Sequence, residues 1–326
     1  MPNLRAPGRS DKPRYPVRRY GAGVSDLLTA YAARLRAIDP LLEVSTDPPA
    51  GEEIAAGSAR GWARVIDVDP ASESAVWSRL RTYALAPRWS GGPAELDALL
   101  TEWVVWLAAQ GAPAAGPESQ TSITWPSRDV AAARVFYAHG LMPSTTLAVR
   151  PRGRATSSAR PPAGVTVRVA TPEDAGAVVA LAAEEVRYET GLSPVTERPG
   201  HEVTRRREVA ARLAEPEPWT WLAERDGVAV GVLAAERPEA SEWAGGLTSA
   251  RPAAYLGLLS VSPDERGGGV GAALAAGAQR IFDEAGLPAS LLHYGTFNPL
   301  SVPFWARHGY RPLWTIWATQ PAAAQR

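Results

Sequence analysis

Apolar positions along the chain follow two rhythms, and each predicts a different element. Between Pro93 and Gln110, Leu96, Leu99, Leu100, Trp103, Val104 and Leu107 recur every three or four residues. That spacing gathers them on one face of a helix. The run Tyr255-Leu256-Gly257-Leu258-Leu259-Ser260-Val261 is apolar nearly throughout and reads as a strand, as do Ser74–Leu85, Thr121–Trp125 and Ser290–Tyr294. Asp129–Ala138 reads as a helix. From Val165 onward the pattern predicts the order βααβββαβαβ. A strand spans 165–170. A helix starts at Thr171-Pro172-Glu173-Asp174 and runs to about Tyr188, with Thr171 as N-cap and acids in its first turn. A second helix covers 201–214, and a hairpin joins 220–224 to 228–236 over Arg225-Asp226-Gly227. The strand 255–261, a helix over 272–285, the strand 290–294 and a helix over 300–308 follow.

The two halves of this pattern echo each other. His139-Gly140-Leu141-Met142-Pro143 matches His308-Gly309-Tyr310-Arg311-Pro312, and the offset from Gly140 to Gly309 is 169 residues, as it is from Asp129 to Asn298. A chain of 326 residues suits two domains, so duplication is expected. Arg, Pro and Ser in 151–164 give linker composition, and the Arg- and Pro-rich first 20 residues read as a disordered basic tail.

Composition narrows the chemistry. The formal net charge is zero, which gives no global field for nucleic acid or membrane. Lys12 is the only lysine. Cysteine is absent, excluding disulfides and thiolate catalysis, and the four histidines lack metal-ligand spacing, so no metal is expected. With no membrane-length apolar run, the expected location is the cytoplasm.

After the strand 255–261 and a turn at Ser262-Pro263-Asp264 comes Arg266-Gly267-Gly268-Gly269-Val270-Gly271, then a helix. Strand, glycine-rich turn and helix make a phosphate cradle. The first helical turn offers free N–H groups and the positive dipole end, and glycines let a ligand approach. Arg266 adds a fork suited to phosphate oxygens. The Gly-Lys-Ser/Thr of a P-loop is missing, and the glycines do not space as in a dinucleotide fingerprint.

The order Val-x-Pro-x-x-Arg-x-x-Gly-x-Gly, Val261 through Gly271, resembles the pyrophosphate loop of the GNAT (GCN5-related) N-acetyltransferases. Asn298-Pro299, then a helix bearing Phe304 and Trp305, then Gly309-Tyr310, resembles the second motif of that family. The resemblance covers roughly residues 163–320. It implies an α/β (α+β) fold, a tandem pair of GNAT units. Each would have a central mixed, mostly antiparallel sheet flanked by helices, with 21–150 a degenerate copy and 165–320 the working one. The duplicated layout resembles the mycothiol synthase type of double acetyltransferase. The first copy lacks the Gly-x-Gly step at Arg88–Pro93, Pro93 removes an N–H donor, and Asp129 replaces the asparagine.

The resemblance implies that Leu259, Ser260, Val261, Arg266, Gly267, Gly268, Gly269, Val270, Gly271, Asn298, Ser301 and Trp305 hold acetyl-CoA. The acceptor would be a primary amine of a small molecule or peptide, and the protein a monomer or homodimer. An amine of reference pKa ~10.4 is neutral in about one molecule in 2,500 at pH 7, so a base is needed. The carboxylate that the family often has on the strand is Gly257 here. Glu184 and Glu185 are alternative bases, with His293 and Tyr255 as further candidates. Trp305 stands where the family commonly has an acidic tyrosine, which leaves Tyr294 or Tyr310 as substitutes. A regulatory module that binds acetyl-CoA without turnover is the alternative reading.

Overall fold

The computed structural model describes residues 22–154 and 159–325. The expected tail over 1–20 and part of the expected linker lie outside the described residues. In chain order the elements are α1 (Ala22–Ile38), β1 (Glu52–Ala56), β2 (Ala59–Asp67), α2 (Ser74–Trp77), β3 (Arg81–Arg88), α3 (Pro93–Ala109), β4 (Ser119–Pro126), α4 (Val130–Ala138) and β5 (Met142–Pro151). There follow β6 (Val165–Val169), α5 (Ala175–Glu189), α6 (His201–Leu213), β7 (Thr220–Arg225), β8 (Val228–Glu236), α7 (Glu242–Gly245), β9 (Ala253–Val261), α8 (Val270–Glu284), β10 (Ala289–Gly295), α9 (Ser301–Arg307) and β11 (Arg311–Thr319). No described helix is long and apolar enough to cross a membrane.

These elements form two compact units. One holds 22–68, Arg79–Thr146 and 312–325; the other holds Asp69–Ser78 and Leu147–Arg311. In the first unit the sheet runs β1-β2-β3-β4-β11, antiparallel except for β3 beside β4. Its core is aromatic: Trp62, Trp103, Trp125 and Phe136 are fully buried. The stripe read from the sequence of α3 is the buried face, with Leu96, Leu99, Leu100, Trp103 and Leu107 inside.

In the second unit the order is β10-β9-β8-β7-β6, antiparallel except for β9 beside β10. One face packs on α8 through Leu233, Leu256, Leu274 and Phe282. The other packs on α5 and α6 through Val178, Leu181, Val209 and Leu258. α8 sits tightly on β8 because Gly231 lies beneath it: a Cβ there would be 3.0 Å from Val270 Cγ1 and 3.2 Å from Leu274 Cδ1.

The sequence pattern misplaced one strand. Ser74–Leu85 is not a strand throughout; Ser74–Trp77 is a helical turn and the strand is Arg81–Arg88. Long-range packing outweighs the local β preference here. Val76 joins Val186 and Val195 in an apolar cluster, Thr196 N–H bonds Val76 C=O at 2.9 Å, and the Arg198 guanidinium bonds Ala75 C=O. The helix expected from Thr171 begins as a short 3₁₀ turn, Pro172–Asp174, in which the Thr171 N–H donates to Asp174 Oδ2 at 2.7 Å.

The repeated His-Gly-x-x-Pro has a structural reason. Gly140 and Gly309 both have positive φ, 74° and 82°, just past α4 and α9. Leu141 N–H returns to Phe136 C=O and Tyr310 N–H to Trp305 C=O, so both helices end in the same glycine-terminated hydrogen-bond motif.

The close seat of α8 gives a stability test. Gly231→Ala should cost about 1–3 kcal/mol by overpacking the helix against the sheet. Urea unfolding of the variant beside the wild type checks it.

Candidate active site

The site begins at an irregularity in β9. Ala234 pairs with Leu258 and Ala235 with Leu256, so Gly257 is an extra residue without a partner on β8. This bulge reverses the side-chain alternation: Leu256 faces the α8 side, and Leu258 faces the α5 side. Pairing of β9 with β10 stops at Leu256 beside Leu292, although both strands continue. Beyond that point β9 has a free edge. Ser262 N–H bonds Val230 C=O at 2.9 Å, which directs the backbone groups of Ser260 and Leu258 to β8. By alternation those of Leu259 and Val261 face the open side. The Val261 carbonyl accepts from Arg266 Nε at 3.1 Å, and Leu259 offers its N–H and C=O to an added strand.

The free edge leads into the glycine loop. Gly267 and Gly269 have φ of 78° and 92°, the left-handed region that disfavours side chains. Gly269 is the N-cap of α8; Ala273 N–H closes on its carbonyl at 3.0 Å, and the amides of Val270, Gly271 and Ala272 have no earlier turn to bond. Gly267, Gly268 and Gly269 are exposed, and Gly271 lies beside Val261 and Phe304, where a Cβ would be 3.5 and 3.6 Å from them. An anion meets backbone donors and the helix dipole here. Arg266 turns toward α5: Nη2 is 3.4 Å from Glu184 Oε1, and the guanidinium lies 5.0 Å from the centre of the Tyr188 ring. Its fork therefore braces the loop against α5.

The two adjacent glutamates of α5 have separate fates. Glu184 is held by Arg187 at 2.6 Å and by Arg266. Glu185 lies on the sheet-facing side with Val178 and Leu181, half-buried, and burial pushes its carboxyl up to about 7, helped by the charge of Glu189. Beyond it the Tyr255 hydroxyl lies 3.0 Å from His293 Nδ1, and Trp243 runs parallel to the His293 ring at 6.0 Å. Burial, then the charges of Glu236 and Glu185, raise the Tyr255 hydroxyl well above its ordinary value. Burial lowers His293 to about 3, so this imidazole is neutral near pH 7 and a weak proton acceptor.

The remaining candidates have structural partners. Asn298 donates to Glu189, while its Oδ1 accepts from Leu300 N–H and Ser301 N–H at 2.9 Å each, so it caps α9. Trp305 and Tyr294 are buried in the core on the α8 side. Tyr310 is bonded to Ser290 at 2.8 Å, and burial raises it to about 12. The Ser260 hydroxyl is buried with no hydrogen-bond partner among the described residues. Sequence reading missed Glu189 and Glu236. For Glu189 the signal was its four-residue spacing from Glu185, which puts both on one helix face.

The first unit has the same strand divergence, and its own side chains fill it. Pairing of β3 with β4 stops at Leu85 beside Ile123. Trp89 stacks on Trp125 at 4.5 Å, and Arg34 lies 4.6 Å over Trp89 while pairing with Asp129 at 3.0 Å. At the loop, Gly91 N–H donates to Glu95 Oε2 at 3.3 Å. A carboxylate of the chain thus covers this loop amide.

Residues 184–310 match the model of the Acetyltransferase (GNAT) family. No curated protein matches the chain. Among solved structures, the chain is similar to a GCN5-related N-acetyltransferase from Sphaerobacter thermophilus, at 15% identity over 91% of each chain with a TM-score of 0.55. A GCN5-related N-acetyltransferase from Kribbella flavida aligns at 19% identity over 90% of this chain and 95% of that one, TM-score 0.42. A tandem GNAT protein from the clavulanic acid biosynthesis pathway aligns at 16% identity over 93% and 96%, TM-score 0.49. The family match is confined to residues 184–310, and the fold is of the GNAT kind.

Two binding outcomes follow. Titration calorimetry with acetyl-CoA should give one site per chain, because only the second loop has unblocked amides. Gly269→Val, which forces a β-branched residue to a φ of 92°, should weaken acetyl-CoA by roughly tenfold or more through strain and blocked approach.

Proposed function

We propose that the GNAT domain over 184–310 transfers the acetyl group of acetyl-CoA directly to a primary amine of a small molecule or peptide. One observation carries the reading. The open edge of β9 leads straight to the unblocked amides at 267–272, with Glu185 held near neutrality on the α5 side of the same sheet. The 22–146 half serves as an acetyltransferase-like copy whose cleft is closed by its own residues.

In this reading the pyrophosphate rests on the loop amides, and the pantetheine arm pairs along Leu259. The Leu259 N–H stabilises negative charge on the carbonyl oxygen as the amine attacks. Glu185 accepts the ammonium proton, the C–N bond forms, the C–S bond breaks, and the pair of electrons leaves on sulfur. A thiol of pKa ~8.5 is a tolerable leaving group near neutrality, so the loss of the family tyrosine at Trp305 does not stop turnover. Without cysteine, and with no activated hydroxyl at Ser260, both substrates meet before transfer.

Initial-rate lines for acetyl-CoA and amine should intersect; parallel lines with a trapped acetyl-enzyme reject direct transfer. The kcat/KM profile should rise through a pKa of about 7 as Glu185 loses its proton, and Glu185→Gln should remove that limb with a 10²–10⁴-fold loss of rate. Stability runs the opposite way. The folded state holds this proton more tightly than the unfolded chain, whose value is near 4.5, so the protein loses stability as pH rises from there through about 7. Glu185→Gln should therefore melt at a higher temperature than the wild type at pH 8.

A further inference from the structure

The α5 side of the sheet gathers more carboxylates than one base requires. Glu185 and Glu189 stand one turn apart on α5. Glu236, 8% exposed at the end of β8, accepts from Trp243 Nε1 at 3.3 Å and lies 3.9 Å from Arg212. Glu208 on α6 shares a hydrogen bond with Glu73, and burial raises its carboxyl. Among the described residues facing guanidinium groups are fewer: Arg212 sits at the far limit of an ion pair, and Arg205 is taken by Glu197 at 3.1 Å.

Glu189 marks where the missing charge belongs. It is 8% exposed, Asn298 occupies its Oε1, and Oε2 has no hydrogen-bond partner among the described residues. That oxygen faces the end of β10, where a Cβ on Gly295 would lie 3.0 Å from it. Gly295 is two residues beyond His293 on the same strand, past the point where β10 leaves β9. A bare carboxylate oxygen at this depth is costly without a cation. Among the described residues no group of three His, Asp or Glu side chains is arranged to hold a metal ion. The rings of Trp243, Tyr255 and His293, 4.7–6.0 Å apart, add aromatic faces and edges suited to an organic cation.

We propose that the acceptor is a small amine carrying a second ammonium group, a diamine or polyamine, with its reacting nitrogen at Glu185 and its second cation on Glu189. This rests on the transfer reading above and narrows its substrate class. Burial holds the Glu185 carboxyl at about 7, so a cation entering beside it would displace its proton and binding releases protons near pH 7.

The test separates the pocket from the chemistry. Calorimetry on protein loaded with coenzyme A, where no acetyl group is available, compares n-butylamine, 1,4-diaminobutane and 4-aminobutanoate. The diamine should bind roughly tenfold or more tightly than the monoamine, as a charge-assisted pair implies, with 4-aminobutanoate weakest. Its binding enthalpy should change with buffer ionisation enthalpy, reporting proton release. Glu189→Gln keeps an oxygen for Asn298 and should bring the diamine-to-monoamine ratio toward one; Glu236→Gln should lower it as well. Retained acetyl-CoA binding shows that each variant is folded. Equal affinity for the two amines in the wild type, or preference for 4-aminobutanoate, overturns the proposal. Absence of thiol release with acetyl-CoA and the diamine, despite selective binding, overturns the transfer reading alone.

Discussion

The parting of β9 from β10 after Leu256 governs everything else in the second unit. A parallel pair that continued would bury the Leu259 backbone in a ladder and leave no edge for a ligand. The bulge at Gly257 turns the strand at that point and exchanges which side chains face α5 and α8. It also aims β9 at the loop, whose arginine reaches back to Val261 C=O and across to Glu184. One extra residue therefore brings a free backbone edge, a glycine-rich helix start and the carboxylate-bearing α5 together at one end of the strand.

The first unit shows the same geometry with the opposite outcome. β3 and β4 also part, but the opening holds the stacked Trp89 and Trp125 with Arg34, and Glu95 covers the loop amide. Side chains that fill a gap contribute buried aromatic area and satisfied charge, where an open gap depends on a ligand to do so. The helix-terminating glycines Gly140 and Gly309 thus recur in both units, while the exposed glycine loop belongs to the second.

The sequence made the loop legible because its signal is local: glycines, an arginine and a helix start within six residues. The same holds for α3, where apolar spacing matched the buried face, and for the hairpin over Asp226-Gly227. What folding adds comes from distant chain. No pattern in Ser74–Trp77 announces a helical turn, because Val186, Val195 and Arg198 make it. Glu184 and Glu185 are neighbours, and only the sheet beneath α5 decides that one is ion-paired and the other desolvated. Arg266 carried a plausible phosphate fork in isolation, yet Tyr188 and Glu184 receive its guanidinium. The carboxylate cluster draws on α5, α6, β8 and the segment around Glu73, and a linear reading does not join them.

Amide hydrogen exchange with and without acetyl-CoA tests the central claim most directly. The account predicts slowed exchange at Leu259 and over 267–272 on adding acetyl-CoA, with 89–95 unchanged. Protection centred on 89–95, or no change along β9 and its loop, would contradict it.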